Sequence, residues 1–230
     1  MKTYPAEKFL LFFLFFHLLL GIFLANFNLE YFETVYVMED GVIEWFTTDA
    51  LLFCSFLCLY RFCALRKVRP ALFNGMLLFL TVLFFFGAGE ELSWGQRIFN
   101  VESSDFFLEH NAQGETNFHN LVMGETKINK LIFSQLLGLS IILYICVFPW
   151  VSLKVEWVRR LATRFAVPIP RLIHIISCLL FALTYVLELM PTGKRGEMLE
   201  FGNCFIFFMI LLYPRNSEIY DPEVDLKHSV

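Results

Sequence analysis

ALFNGMLLFLTVLFFFGAGEELSWGQR, residues 71–97, joins a long apolar run to a sharply polar end. Residues 71–89 carry no charged side chain, and at 1.5 Å per helical residue they are long enough to cross a hydrocarbon core about 30 Å thick. Two adjacent carboxylates, Glu90 and Glu91, follow at once. The stretch therefore predicts a transmembrane helix whose end brings acidic side chains to one membrane surface.

The rest of the chain repeats this pattern of long apolar runs. Of its 230 residues 57% are hydrophobic and 29 are Phe, whereas soluble domains are about 45–50% apolar. Backbone groups in hydrocarbon must pair within their own segment, which favours helices. We predict an all-α bundle of six transmembrane helices forming one membrane domain, 1–214, with a short polar cytoplasmic tail, 215–230. The predicted spans are 9–28, 46–64, 71–89, 131–152, 172–190 and 198–214.

Charge sets the predicted orientation of these spans, because basic loops stay in the cytoplasm. The segment between the second and third spans contains Arg66, Lys67 and Arg69, whereas 28–45 is acidic and has no Lys or Arg. With both chain ends inside, 16 of the 22 acidic residues lie outside and 13 of the 18 basic residues lie inside. We expect a protein of the bacterial cytoplasmic (inner) membrane. A net charge of −4 offers no basic surface to nucleic acid.

The polar end of the third span is the first candidate site. If the helix continued past it, Glu90, Trp94 and Arg97 would share one face, with Glu91 on the neighbouring stripe. Carboxylates at the end of an apolar run are costly unless they are paired, hydrated or bound to metal. The alternative is an ordinary interfacial helix end, with the acids in water and Trp94 in the aromatic belt.

A second polar segment, NAQGETNFHN at 111–120, belongs to an outer-side region of about 98–130 that we predict to be interfacial or re-entrant. If it is extended, Gln113, Glu115, Asn117 and His119 point to one side. If it is helical, Glu115 and His119 are neighbours at i, i+4. The alternative is a hydrated loop in which His119 is simply hydrogen-bonded.

Two more segments bring acids to the same membrane face. Asp40 and Glu44 precede the second span, with Asp49 just inside it, and Glu197 and Glu200 open the last span at i, i+3. An acid within a span is by default a functional candidate. The predicted lining of a substrate or ion path is Trp94, Gln96, Asp40, Glu44, Asp49, Gln113, Asn117, Asn120, Glu197 and Glu200.

Three kinds of chemistry suit this group of acids. Glu91, Glu115 and His119 could ligate a divalent metal ion of unspecified identity. A carboxyl group could act as acid or base, or the acids could form a vestibule that attracts cations. The predicted catalytic group is Glu90, Glu91, Arg97, Glu115 and His119. No nucleotide-binding fingerprint occurs, so no nucleotide cofactor is expected.

The string E-E-x-S-W-G-Q-R at 90–97, followed by N-x-Q-x-E-x-N-x-H-N at 111–120, resembles a group of uncharacterised bacterial polytopic membrane proteins. The pair Glu90-Glu91 is also distantly similar to the paired-Glu motif of CAAX-type intramembrane proteases. In that comparison Arg97 stands two residues beyond the family's Arg, and the family's later His motifs have no counterpart in the last three spans. The second resemblance would imply an intramembrane hydrolase.

Two classes of function follow from these observations. The leading hypothesis is a metal-assisted hydrolase or transferase that acts on a lipid or lipid-linked substrate from the outer leaflet. The alternative is a non-enzymatic protein: a small transporter, a cation-binding module or a membrane assembly partner. A transporter predicts acids at several depths and inverted repeats, whereas these acids cluster at one level.

Overall fold

A computed structural model describes residues 4–118, 120–123, 126–127 and 136–224. Seven longer helices form its framework: α1 Pro5–Phe27, α2 Val42–Leu65, α3 Ala71–Glu91, α4 Leu137–Lys154, α5 Glu156–Arg164, α6 Leu172–Val186 and α7 Arg195–Leu212. Shorter helical turns occupy Leu29–Tyr31, Phe32–Tyr36, Ser93–Gly95, Gln96–Phe99, Asp105–His110 and Ser217–Tyr220. Two-residue strands, β1 Val122–Met123 and β2 Thr126–Lys127, pair antiparallel. Apart from this strand pair, the regular secondary structure of the described residues is helical.

Helices α1 to α4 are long and apolar enough to cross a membrane, as expected of an integral membrane protein. Helix α6 ends at Val186, short of the predicted boundary at 190. It stops there because Glu188 takes a left-handed conformation, with φ 52°, which ends a helix. Helix α7 covers most of the predicted span 198–214 but starts earlier, at Arg195. Residues 131–135 of the predicted fourth span lie outside the described residues.

Helix α7 packs against α1, α2 and α6, and α2 packs in turn against α3. Aromatic rings fill the contacts: Phe13 stacks on Phe205 at 5.2 Å, and Phe181 meets Phe201 edge-on at 6.5 Å. Lipid tails are as apolar as these rings, so close packing rather than hydrophobic exclusion holds membrane helices together. Helix contacts without gaps therefore matter more to this fold than total apolar area does.

Gly202 marks the tightest of these contacts. A Cβ atom added there would overlap ring atoms of Phe181, including Cγ at 2.7 Å. We expect Gly202→Ala to destabilise the protein by about 1–3 kcal/mol, because the buried ring has to move. Thermal unfolding of the detergent-purified protein would measure the loss. Gly196→Ala is the matched control on the same helix, since no atom lies within 4 Å of its added Cβ; equal losses in both variants would contradict the prediction.

The chain end beyond α7 is held by two arginines. Arg69 donates hydrogen bonds to the backbone oxygens of Ile219, Asp221 and Val224, at 3.1, 2.5 and 2.9 Å. The guanidinium of Arg61 lies 3.7 Å from the centre of the Tyr220 ring. The part of the predicted polar tail that the structure describes is therefore packed on the helices rather than free.

A buried ion pair joins α1 to α6 at the same end of the bundle. Glu7 is completely buried, and its Oε1 lies 2.6 Å from Nη1 of Arg171 and 3.6 Å from Nε2 of His174. Next to it the rings of Tyr4 and Tyr213 stack at 5.1 Å. The pair fixes the first turn of α1 to the start of α6.

Candidate functional site

An acidic cavity of about 170 Å³ lies where the beginnings of α2 and α7 meet the end of α3. Its basic lining residues are Arg97 and Lys194, and its acidic lining residues are Glu39, Glu44, Glu90, Glu91, Glu115, Glu197 and Glu200. With all of these ionised, seven negative charges face two positive ones, which leaves a formal charge of −5. Such an excess at the end of a helical bundle is costly unless protons or cations offset it.

Helix geometry brings the acids together. Helix α2 begins at Val42, ahead of the predicted 46, so Glu44 sits in its first turn, where the helix dipole favours negative charge. The turn before it needs Gly41, because a Cβ there would lie 2.6 Å from the Met38 carbonyl oxygen. Glu91 is the last residue of α3. Glu197 and Glu200 are one turn apart on α7 and therefore share a face.

Arg97 is the hub of the cavity wall. Its guanidinium lies 2.5 Å from Glu115, 2.6 Å from Asp40, 3.5 Å from Glu44 and 3.8 Å from Glu39. Burial works against its charge, but its hydrogen bonds to Asp40 and Glu115 outweigh that effect and raise the pKa of Arg97. One cation thus ties three separate segments of the chain into a single wall.

The helix does not continue to residue 97, so the condition for a shared face of Glu90, Trp94 and Arg97 is not met. Helix α3 stops at Glu91, and Ser93 and Trp94 then adopt left-handed conformations with φ of 46° and 56°. The indole of Trp94 folds back onto Gly89, where an added Cβ would lie 2.8 Å from the ring. This turn directs Arg97 toward Asp40 and Glu115 instead of placing it along the face of Glu90.

Glu90 anchors the following loop. One of its carboxylate oxygens accepts a hydrogen bond from Nε1 of Trp94 at 2.8 Å, and the other accepts one from the backbone N–H of Phe118 at 2.5 Å. Since both oxygens have partners, this predicted catalytic residue holds the loop against the end of α3.

The described residues of 111–120 form turns rather than a regular strand or helix, yet Gln113, Glu115 and Asn117 all line the cavity. Glu115 accepts hydrogen bonds from Ser93 Oγ at 2.5 Å and Arg97 Nη1 at 2.5 Å. The buried Asn117 side chain donates to Ser93 Oγ at 2.7 Å. His119, predicted as a metal ligand and catalytic group, lies outside the described residues.

Amide side chains close the rest of the loop over the cavity. Gln113 donates to Glu39 and accepts from Asn120. Outside the cavity lining, the Gln96 side chain accepts from the backbone N–H of Thr116 at 2.7 Å. The loop is therefore held by polar contacts more than by apolar packing.

A second group of acids is less engaged with the protein. Glu91, Glu197 and Glu200 line the cavity, and in the described salt bridges Arg97 pairs with other acids. Carboxylates gathered around one cavity repel one another when they are ionised, and a bound cation would reduce that repulsion.

Some predicted residues do not line the cavity. Asp49 is exposed on α2. The lining does not include Asp40, Trp94 or Gln96, although Asp40 contacts Arg97 and Trp94 contacts Glu90. Among the described residues, no group of three His, Cys, Asp or Glu side chains could hold a metal ion. The divalent-metal site remains a prediction.

Lys194 was missed by the sequence reasoning as a lining residue. Its Nζ donates to the Glu33 backbone oxygen at 2.9 Å, and Thr192 beside it hydrogen-bonds to the Glu33 carboxylate. These contacts tie the turn before α7 to the helical turn before α2. No local signal marks them, because their partners are about 160 residues apart in the chain.

No family model, curated protein or solved structure matches the chain.

Proposed function

We propose that this multi-pass membrane protein binds a cation in the acidic cavity, as a small transporter or cation-binding module. The observation that carries the proposal is the imbalance of seven carboxyl groups against two basic groups around one cavity. A bound cation would relieve their mutual repulsion. Glu91, Glu197 and Glu200 are the proposed primary contacts, because Glu90 and Glu115 are already engaged by Trp94, Ser93 and Arg97.

We further propose six spans, with α6 and α7 crossing beside α1 to α4 and both chain ends in the cytoplasm of a bacterial cell. Arg66 and Lys67 are exposed at the end of the bundle opposite the cavity, in keeping with the cytoplasmic preference of basic residues. This topology opens the cavity to the outer face of the cytoplasmic membrane.

The hydrolase or transferase remains a second candidate function, supported by one observation. Glu91, Glu197 and Glu200 gather carboxyl groups around one cavity, and neighbouring carboxyl groups can act as an acid and a base. In this alternative Arg97 stabilises the cavity wall, and the substrate is a lipid or lipid-linked molecule that enters from the outer leaflet.

The proposal predicts that Glu91→Gln and Glu200→Gln each lower cation affinity by about tenfold or more, since each removes a charge close to the ligand. Calorimetric titration of the detergent-purified protein with Mn²⁺, Ca²⁺ and a small ammonium ion would measure this. The matched control is Glu102→Gln/Glu109→Gln, which removes exposed acids outside the cavity. Wild-type protein that bound none of these ions would overturn the proposal, and unchanged affinity in both cavity variants would place the site elsewhere.

A further inference from the structure

Helix α5 follows directly on the membrane-spanning helix α4. The two are separated only by Val155, whose extended conformation, φ −117° and ψ 104°, breaks the helical path. Helix α4 ends at Lys154, where the apolar span ends. Helix α5 therefore begins at the level of the membrane surface.

The exposed face of α5 mixes apolar and basic side chains. Trp157 is 64% exposed and Leu161 41% exposed, and Arg160 and Arg164 beside them are exposed too. At 3.6 residues per turn these four side chains fall within an arc of about 100°. The buried Ala162 lies on the other side of the helix, so the mixed face is free of intramolecular packing.

The charge around this face is strongly positive. Arg159 is exposed on α5 itself, and Lys154, Arg66 and Lys67 are exposed on neighbouring segments. Helix α3, which follows Arg66 and Lys67, contacts α5. The acid on α5 itself, Glu156, is paired with Arg160 at 3.0 Å and offsets one of these charges. Arg164 has no carboxylate partner in the described salt bridges.

We infer that α5 lies in the inner membrane interface and binds the phosphate headgroups of anionic phospholipids. Trp157 and Leu161 enter the boundary between headgroups and acyl chains, where an indole ring is stable. Arg160 and Arg164 reach the phosphate oxygens, which a guanidinium can engage with two parallel hydrogen bonds. The partner is a lipid because the apolar side chains of the face continue the lipid-facing surface of α4, where Trp150 and Leu153 are exposed.

The test is lipid selectivity of the full-length protein, measured by native mass spectrometry after equilibration with equimolar phosphatidylglycerol and phosphatidylcholine. Wild-type protein is expected to bind more phosphatidylglycerol. In Arg160→Gln/Arg164→Gln the ratio of bound phosphatidylglycerol to phosphatidylcholine should fall by about fivefold for each arginine removed.

A matched variant distinguishes lipid binding at α5 from an effect of the protein's net positive charge at this end of the bundle. Lys8→Gln/Arg215→Gln removes two exposed basic residues that lie at the same end of the bundle but not on α5, and it should keep the wild-type ratio. If the ratio of bound phosphatidylglycerol to phosphatidylcholine fell equally in both double variants, net charge alone would explain the selectivity and the inference would be overturned. A wild-type protein without preference would overturn it too. Cation titration at the acidic cavity is independent of either outcome.

Discussion

Arg171→Met is expected to lower the free energy of unfolding by about 3–5 kcal/mol, one of the largest effects of any single substitution in this chain. The change leaves Glu7, which is completely buried, without the guanidinium 2.6 Å from its carboxylate. A buried carboxylate without its cationic partner is costly. A thiol-reactive dye that reports exposure of the buried Cys54, Cys58 and Cys178 during heating would measure the loss.

The control for this substitution is Arg160→Met. Arg160 pairs with Glu156 at 3.0 Å, but both side chains are at least half exposed, and such pairs contribute about 0–1 kcal/mol. Combining Arg171→Met with Glu7→Gln should recover part of the loss, because no buried charge is then left without a partner. If Arg171→Met melted like the control, the ion pair would have no structural role.

Arg97→Gln is expected to release the loop over the cavity and to lower stability by about 2–3 kcal/mol. The substitution removes the cation that contacts Asp40, Glu44 and Glu115, so carboxylates already crowded together repel one another. Because the Arg97 side chain is only 23% exposed, water compensates for this incompletely. Hydrogen–deuterium exchange should rise in the backbone amides of 105–118 and stay unchanged in α2.

Two further variants test the cause of that effect. Arg97→Lys keeps the charge but not the planar fork of donors, so it should recover only part of the protection. Arg195→Gln also removes an arginine close to the cavity, one that pairs with a single exposed acid, Glu188, at 2.7 Å. We expect little change from Arg195→Gln; a loop that loosened equally in both glutamine variants would argue against Arg97 as the hub.

The helices that cross the membrane are predictable because their signal is local. The apolar runs gave the position of α1, α2 and α3 to within about four residues at each end. The early start of α2 was missed because Thr47, Thr48 and Asp49 look like the polar edge of a span, whereas Gly41 sets the true beginning. The short α6 was also missed, because a left-handed conformation at Glu188 cannot be read from a non-glycine residue.

The sequence predicts that the acids of the site lie at one membrane level, but it does not predict how their side chains are arranged around the cavity. Charge topology places Glu44, Glu91 and Glu200 at one membrane level, and the structure brings them around one cavity. The partners of Arg97 were not predictable, since Asp40 lies 57 residues away in the chain. Nor was the exposure of Asp49, which depends on how α2 is rotated about its axis.

Asp49 has a consequence for the bilayer itself. This carboxylate faces outward from α2, one to two turns past the helix start, so hydrocarbon cannot extend beyond it without burying its charge. The part of α2 left below it, residues 50–65, is about 24 Å long at 1.5 Å per residue. The 15 residues of α6 give about 22 Å by the same measure. Both lengths are below the hydrocarbon thickness of about 30 Å of a typical membrane, so in the proposed topology the protein thins the lipid around α2 and α6 and favours membranes with short acyl chains.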